Sequence, residues 1–231
     1  MRLGLRALRW AALAALLPLP TYAQGGGMGN MPGMQHDDPD KPVAGGGKLP
    51  EGWSARTDRD APLTNVKFVK MGDGWHFTVG PAVVVYRASD NTLGNYRVSA
   101  TFTQTKSSGS GHGEGFGLVI GGSDLSGPKQ QYTYFLVRQD GMFLVKRRTG
   151  ASTANVNEGW TENAALNKAD STGKVTDELA VAVQGGKASF AVNGKEVYSI
   201  DASKIDAGGI VGMRVNHNLD LHVAGFAVQK M

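Results

Sequence analysis

From Trp53 onward, apolar and polar residues alternate with a period of two. Tyr96, Val98, Ala100 and Phe102 interleave with Arg97, Ser99, Thr101 and Thr103, which gives one apolar and one polar face, the pattern of a half-buried antiparallel strand. Leu179, Val181 and Val183 against Ala180, Ala182 and Gln184 repeat it, as do Ala188, Phe190 and Val192 against Lys187, Ser189 and Ala191. The breaks between strands have hairpin chemistry. Asp140-Gly141 separates a strand over 132–138 from one over 142–148, Gly185-Gly186 separates two later strands, and Asn193-Gly194 follows Val192. Each pair tolerates the positive φ of a tight hairpin, so consecutive strands are predicted to be antiparallel neighbours. Helical patterning is confined to short stretches near 164–170 and 202–205. About a dozen short strands with turns between them predict an all-β sandwich of two antiparallel sheets.

The N-terminal part reads differently. Arg2, Arg6 and Arg9 precede an apolar run from Trp10 to Leu17, two prolines and Thr21-Tyr22-Ala23. This is the pattern of a cleavable signal peptide over 1–23, with cleavage expected after Ala23. No two of its arginines are adjacent, which favours the general secretory route, and without cysteine no lipoprotein anchor is expected. The expected location is therefore periplasmic or secreted. No later stretch reaches the roughly 20 apolar residues of a spanning helix, so no membrane insertion is expected. Residues 24–48 are rich in Gly, Met, Pro and Asp with Val43 as the single β-branched residue, and predict a disordered linker ahead of a domain over 49–231.

Composition narrows the partners. The 24 Lys and Arg exceed the 20 Asp and Glu, but three of the basic residues lie in the leader, so the remainder is close to neutral and offers no excess for a polyanion-binding patch. Nucleic acid is not an expected partner. A chain of this length buries a sizeable core without disulfides, consistent with the absence of cysteine.

Several segments have a family look: GFGLVIG over 115–121, YTYFLVR over 132–138, the hairpin FAVNGKEV over 190–197, GIVGMRV over 209–215 and the stretch 220–228. In these the chain resembles the concanavalin-like and laminin-G-like jelly rolls and, more narrowly, is similar to the 3-keto-disaccharide hydrolase domains, a family 16 glycoside hydrolase-like group. The resemblance spans roughly residues 50–231 and implies a concanavalin-like jelly-roll sandwich that binds or processes glycans on its concave sheet. Its motifs serve the backbone, so it bears on fold more than on activity.

The residues for glycosidase chemistry are thin. Retaining enzymes of this fold carry an E-x-D-x-x-E type run that sets two carboxylates about 5 Å apart. None of Glu51, Glu114, Glu158, Glu162, Glu178 and Glu196 has a carboxylate two residues away, which argues against that run and leaves open carboxylates that only the fold brings together. No H-x-x-x-H pair occurs, although His217 and His222 flank Asn218 and Asp220 and His112 stands two residues from Glu114; a zinc site needs three or four convergent ligands, and no metal or other cofactor is expected. The glycine-rich loop 107–115 departs from G-x-G-x-x-G and predicts a rim loop, not a phosphate cradle. Met28, Met31 and Met34 beside His36 are soft ligands of the kind Cu(I) takes, but in a low-complexity segment they read first as composition.

Strand alternation does assemble one candidate surface. Tyr132, Tyr134 and Arg138 share a side of one strand, Lys146 and Arg148 a side of the next, and Arg214 and Asn216 a side of a later one. Trp160 and the run Asn216-His217-Asn218 are expected to frame it. Aromatic faces beside bidentate donors suit the C–H patches and hydroxyls of a sugar. The competing expectation is that Tyr132 and Trp160 are core and the charges merely solvated. The leading functional expectation is an exported carbohydrate-binding jelly roll with a glycan or small sugar as partner. A hydrolase acting on 3-keto-disaccharides or glycosides, and a structural or protein-interaction module, stand as alternatives.

Overall fold

The computed structural model describes residues 40–109 and 113–231. Its strands form two antiparallel sheets. The eight-stranded sheet runs β1 (Ser54–Thr57), β4 (Val83–Thr92), β14 (Gly209–Val215), β6 (Phe116–Ser123), β7 (Gln131–Arg138), β8 (Met142–Thr149) and β10 (Thr161–Glu162), with β9 (Ser152–Asn155) also paired to β8. The seven-stranded sheet runs β13 (Lys195–Asp201), β12 (Lys187–Val192), β11 (Val175–Gln184), β5 (Tyr96–Gln104), β15 (Asp220–Lys230), β3 (Gly74–Val79) and β2 (Val66–Met71). Neighbours in both orders are often distant in sequence, as in β4-β14-β6, which is how a jelly roll differs from a simple meander.

The period-two pattern explains the layers. On β5, Tyr96, Val98, Ala100 and Phe102 are buried, while the alternate positions lie on the other face. On the facing sheet Phe116 and Leu118 of β6, and Phe135 and Val137 of β7, point into the same core. Rings meet across the gap between sheets, Phe102 with Phe116 at 5.8 Å and Phe135 with Phe190 at 5.4 Å. Each such ring contributes about 1.5–3 kcal/mol by leaving water. The three hairpins fall at the predicted turns, with Gly141, Gly185, Gly186, Asn193 and Gly194 all at positive φ. Where the pattern predicts short helix near 164–170, residues 164–166 form a turn and bend and 167–170 are irregular, and 202–204 forms a single 3-10 turn capped by Asp201.

The described residues, 40–109 and 113–231, belong to one compact unit. Its first residues fall inside the segment expected to be linker, yet they are tied to the domain. The Lys41 N–H donates to Asn218 Oδ1 at 2.8 Å, the Val43 N–H to Asn65 Oδ1 at 3.2 Å, and the Gly47 N–H to the Val66 carbonyl at 3.0 Å. Composition hid this because the contacts are made by backbone groups, which any residue type supplies. The expected signal peptide, the remainder of the linker with its Met28, Met31, Met34 and His36, and His112 of the glycine-rich loop lie outside the described residues. Among the described residues no helix is long and apolar enough to cross a membrane.

Candidate functional site

The face of the eight-stranded sheet turned away from the core carries a second, smaller apolar cluster that includes Val84, Tyr86, Val119, Tyr132, Tyr134 and Leu136. Strand register brings the predicted side chains onto this outer face. Arg214 of β14 stands opposite Val84 and Gly117, and Gly117 opposite Leu136. One step along, Tyr134 lies between Val119 and Lys146, and beyond it Tyr132 pairs with Arg148. Gly117 lies between Arg214 and β7 in the register, and the Arg214 guanidinium reaches over the Tyr134 ring at 5.0 Å. Glycine is required there, because an added Cβ would meet the Phe135 carbonyl oxygen at 2.1 Å.

These groups are knit around one carboxylate. Arg214 donates to both oxygens of Asp58, Nη1 to Oδ1 at 2.7 Å and Nη2 to Oδ2 at 2.6 Å, and its Nη1 also reaches the Tyr132 hydroxyl at 3.1 Å. Arg148 Nη2 sits 3.0 Å from Asp58 Oδ2, with its guanidinium 6.0 Å from the Tyr132 ring centre. Burial would push the Asp58 carboxyl up, but the Arg214 hydrogen bonds and the charges of Arg214, Arg148 and Arg56 outweigh it and hold the group below its ordinary range. Asp58 is thus ionised at neutral pH and a poor proton donor. Burial moves both Tyr132 and Tyr134 upward, so their hydroxyls stay protonated.

Accessibility sorts the predicted residues. Tyr132 is fully buried, and Tyr134, Arg148 and Arg214 nearly so. The ring of Tyr132 therefore braces the guanidinium layer and offers no open stacking surface. Lys146, Arg138 and Trp160 are half-buried and form the reachable part of the face. The Lys146 ammonium makes no hydrogen bond or ion pair among the described residues, while its backbone pairs within the sheet. Its ammonium is pulled below the usual lysine range, first by burial and then by the charges of Arg214 and Arg148. Trp160, from the connection before β10, lies over the sheet at Gly115, where an added Cβ would meet its Cη2 at 2.9 Å. Arg138 stacks on that indole at 4.6 Å and is already committed to Asp140, with Nε donating to Oδ1 at 2.8 Å and Nη2 2.7 Å from Oδ2.

The run 216–218 divides. Asn216 anchors its segment through a backbone N–H to the Gly115 carbonyl at 2.9 Å. His217 Nε2 lies 2.8 Å from Oε1 of the buried Glu114, and His217 lines a cavity of about 170 Å³ together with Asp40, Asp58 and Arg59. Asn218 does not frame the face. It holds a left-handed φ of 58° and uses its side chain to accept the Lys41 N–H. Asp58 and Glu114 are the participants that sequence reasoning missed. Asp58 follows β1, at the far edge of the sheet from β7 and β8, so no period within one strand reveals it. Glu114 has no carboxylate at strand spacing, and its partner His217 lies just past the end of β14, 103 positions later. Among the described residues no group of three His, Cys, Asp or Glu is placed to hold a metal ion.

No known family model and no curated protein matches this chain. Solved structures do. A CBM66 carbohydrate-binding module from Bacillus subtilis superposes with a TM-score of 0.56 at 12% identity, covering 78% of this chain and 96% of the module. A Bacillus subtilis protein of unknown function with a galectin-like fold gives 0.54 at 12% identity, covering 77% and 89%. A laminarinase from Flavobacterium sp. UMI-01 gives 0.52 at 12% identity, covering 80% and 96%. With two antiparallel sheets and these neighbours, the chain has the concanavalin-like jelly-roll fold.

Proposed function

We propose that this protein is exported and binds a saccharide on the outer face of its eight-stranded sheet, without itself cleaving the sugar. The observation that carries the reading is the assembly on one face of Trp160, Lys146 and the Asp58-Arg148-Arg214 layer over Tyr132 and Tyr134. Half-buried aromatic and cationic groups above rigid, pre-bonded supports meet a sugar's C–H faces and hydroxyls at low reorganisation cost. Carbohydrate-binding proteins among the structures with this fold are in keeping with it. The export part rests on the charged and apolar leader over 1–23. Binding is favoured over hydrolysis because Asp58, the carboxylate at the centre of this layer, is locked between two guanidiniums and held ionised, so it cannot donate a proton to a leaving group.

A glycan array with the full chain, followed by calorimetry on the hits, tests this. The expected result is binding of a saccharide without its consumption, weakened at least tenfold by Trp160→Ala while the fold is retained. Turnover of a 3-keto-disaccharide or glycoside would overturn the non-catalytic part, and absence of any saccharide hit would overturn the whole.

A further inference from the structure

We infer that the saccharide this face takes carries a negative charge, a carboxylate or sulfate group, received by Lys146 with Arg148 and Arg214 behind it. The inference rests on the saccharide-binding reading and names the ligand class. Its basis is charge accounting on the face. Arg148, Arg214 and Lys146 supply three cations, and Asp58 is the carboxylate that faces them. Asp58 is spent on the arginines, bidentate to Arg214 and single to Arg148. Other charges nearby are already met: Arg56 pairs with Asp60 at 2.8 Å and Arg138 with Asp140 at 2.7 Å.

Lys146 is left over. It stands on the same strand face as Arg148, two residues away and so roughly 7 Å along the strand, and directly opposite the buried Tyr134. A half-dehydrated ammonium beside two guanidiniums with no counter-ion is unfavourable, and residues 24–231, nearly balanced in basic and acidic side chains, give no general reason to concentrate positive charge here. The Nε donors of Arg148 and Arg214 are also buried without a partner among the described residues, so the layer has more donor capacity than Asp58 absorbs. A neutral sugar answers the hydrogen bonding but leaves the charge uncompensated. An anionic sugar answers both, with the ring against Trp160 and the anion at Lys146.

The test is calorimetry of the full chain against uronate oligosaccharides beside their methyl esters, sulfated oligosaccharides beside their desulfated forms, and inorganic sulfate alone. The expected result is that an acidic member binds at least tenfold tighter than its neutral counterpart, that the advantage shrinks as salt rises, and that Lys146→Met or Lys146→Gln abolishes it without lowering Tm. Preference for uronate or for sulfate identifies which anion is taken, and either supports the inference. Equal binding of charged and neutral forms, or an advantage that survives both Lys146 variants, overturns it and leaves saccharide binding standing. Inorganic sulfate binding as tightly as any sugar overturns it in favour of a small-anion site. If no saccharide binds, this inference and the saccharide reading fall together.

Discussion

Asp58→Asn removes the carboxylate that holds the outer-face network together while conserving its shape. Arg214 then loses a bidentate partner with contacts of 2.7 and 2.6 Å, and Arg148 loses one at 3.0 Å. Two guanidiniums that are 5% and 7% exposed, with Lys146 beside them, are left facing a neutral amide whose NH₂ repels at least one of them. Breaking a buried ion pair from one side costs about 3–5 kcal/mol, and the lower end applies because 28% of the Asp58 side chain is exposed. For a domain of this size each kcal/mol is about 2–4 °C, so Tm should fall by roughly 6–12 °C. The sign of the pH effect follows from the depressed pKa of Asp58. Its contribution is full above the unfolded-state value near pH 4 and is lost as pH falls through the lower folded-state value. Calorimetric scans from pH 2 to 7 should therefore show a large gap between variant and wild type at neutral pH that closes in acid. A shift below about 2 °C at pH 7, or a gap that persists unchanged at pH 2, would refute the view that Asp58 organises this face.

Other substitutions probe independent features. Asp177 is pushed up by burial against hydrogen bonds from Asn167 and Asn193, so its contribution to stability is present below its unfolded-state pKa and lost as pH rises through the folded-state value; Asp177→Asn should raise Tm at pH 7 and flatten that decline, as thermal melts across pH would show. Gly115→Ala drives a Cβ to 2.9 Å from Trp160 Cη2 and 3.0 Å from Leu136 Cδ1, and overpacking of about 1–3 kcal/mol should displace the indole, visible as a shift in tryptophan emission and in weakened saccharide binding. Gly117→Ala meets the backbone instead and should prevent folding, seen as loss of soluble protein. Mass spectrometry of the exported protein should find a chain that begins at Gln24.

Sequence carried the fold far because the evidence for it is local. Alternation over 96–103 and 179–192, and glycine-containing pairs at three turns, are decided within a few residues, and the strands form there. The same alternation put Tyr132, Tyr134, Arg138, Lys146, Arg148 and Arg214 on common strand faces, and register then joined them across β14, β6, β7 and β8. What alternation does not report is depth or partners. Tyr132 and Trp160 look equivalent as aromatic side chains, yet one lies under two guanidiniums and the other remains reachable, a difference set by Asp58 arriving from the opposite sheet edge. Arg138 looks like a free donor in sequence, but Asp140, brought round by the hairpin turn, occupies it. Asn218 reads in sequence as part of the frame of the face, and in the structure it fastens Lys41, a contact across 177 positions that no local pattern holds.

Saccharide recognition by the outer face is tested most directly by calorimetry of the tightest array hit against three proteins. These are the wild type, Trp160→Ala, and Thr101→Ala, the last on the outer face of the seven-stranded sheet, where Thr101 alternates with the buried Ala100 and Phe102. The account predicts at least a tenfold rise in Kd for Trp160→Ala, about 1.4 kcal/mol, and no change for Thr101→Ala. An unchanged Kd for a folded Trp160→Ala, or a loss confined to Thr101→Ala, would contradict it.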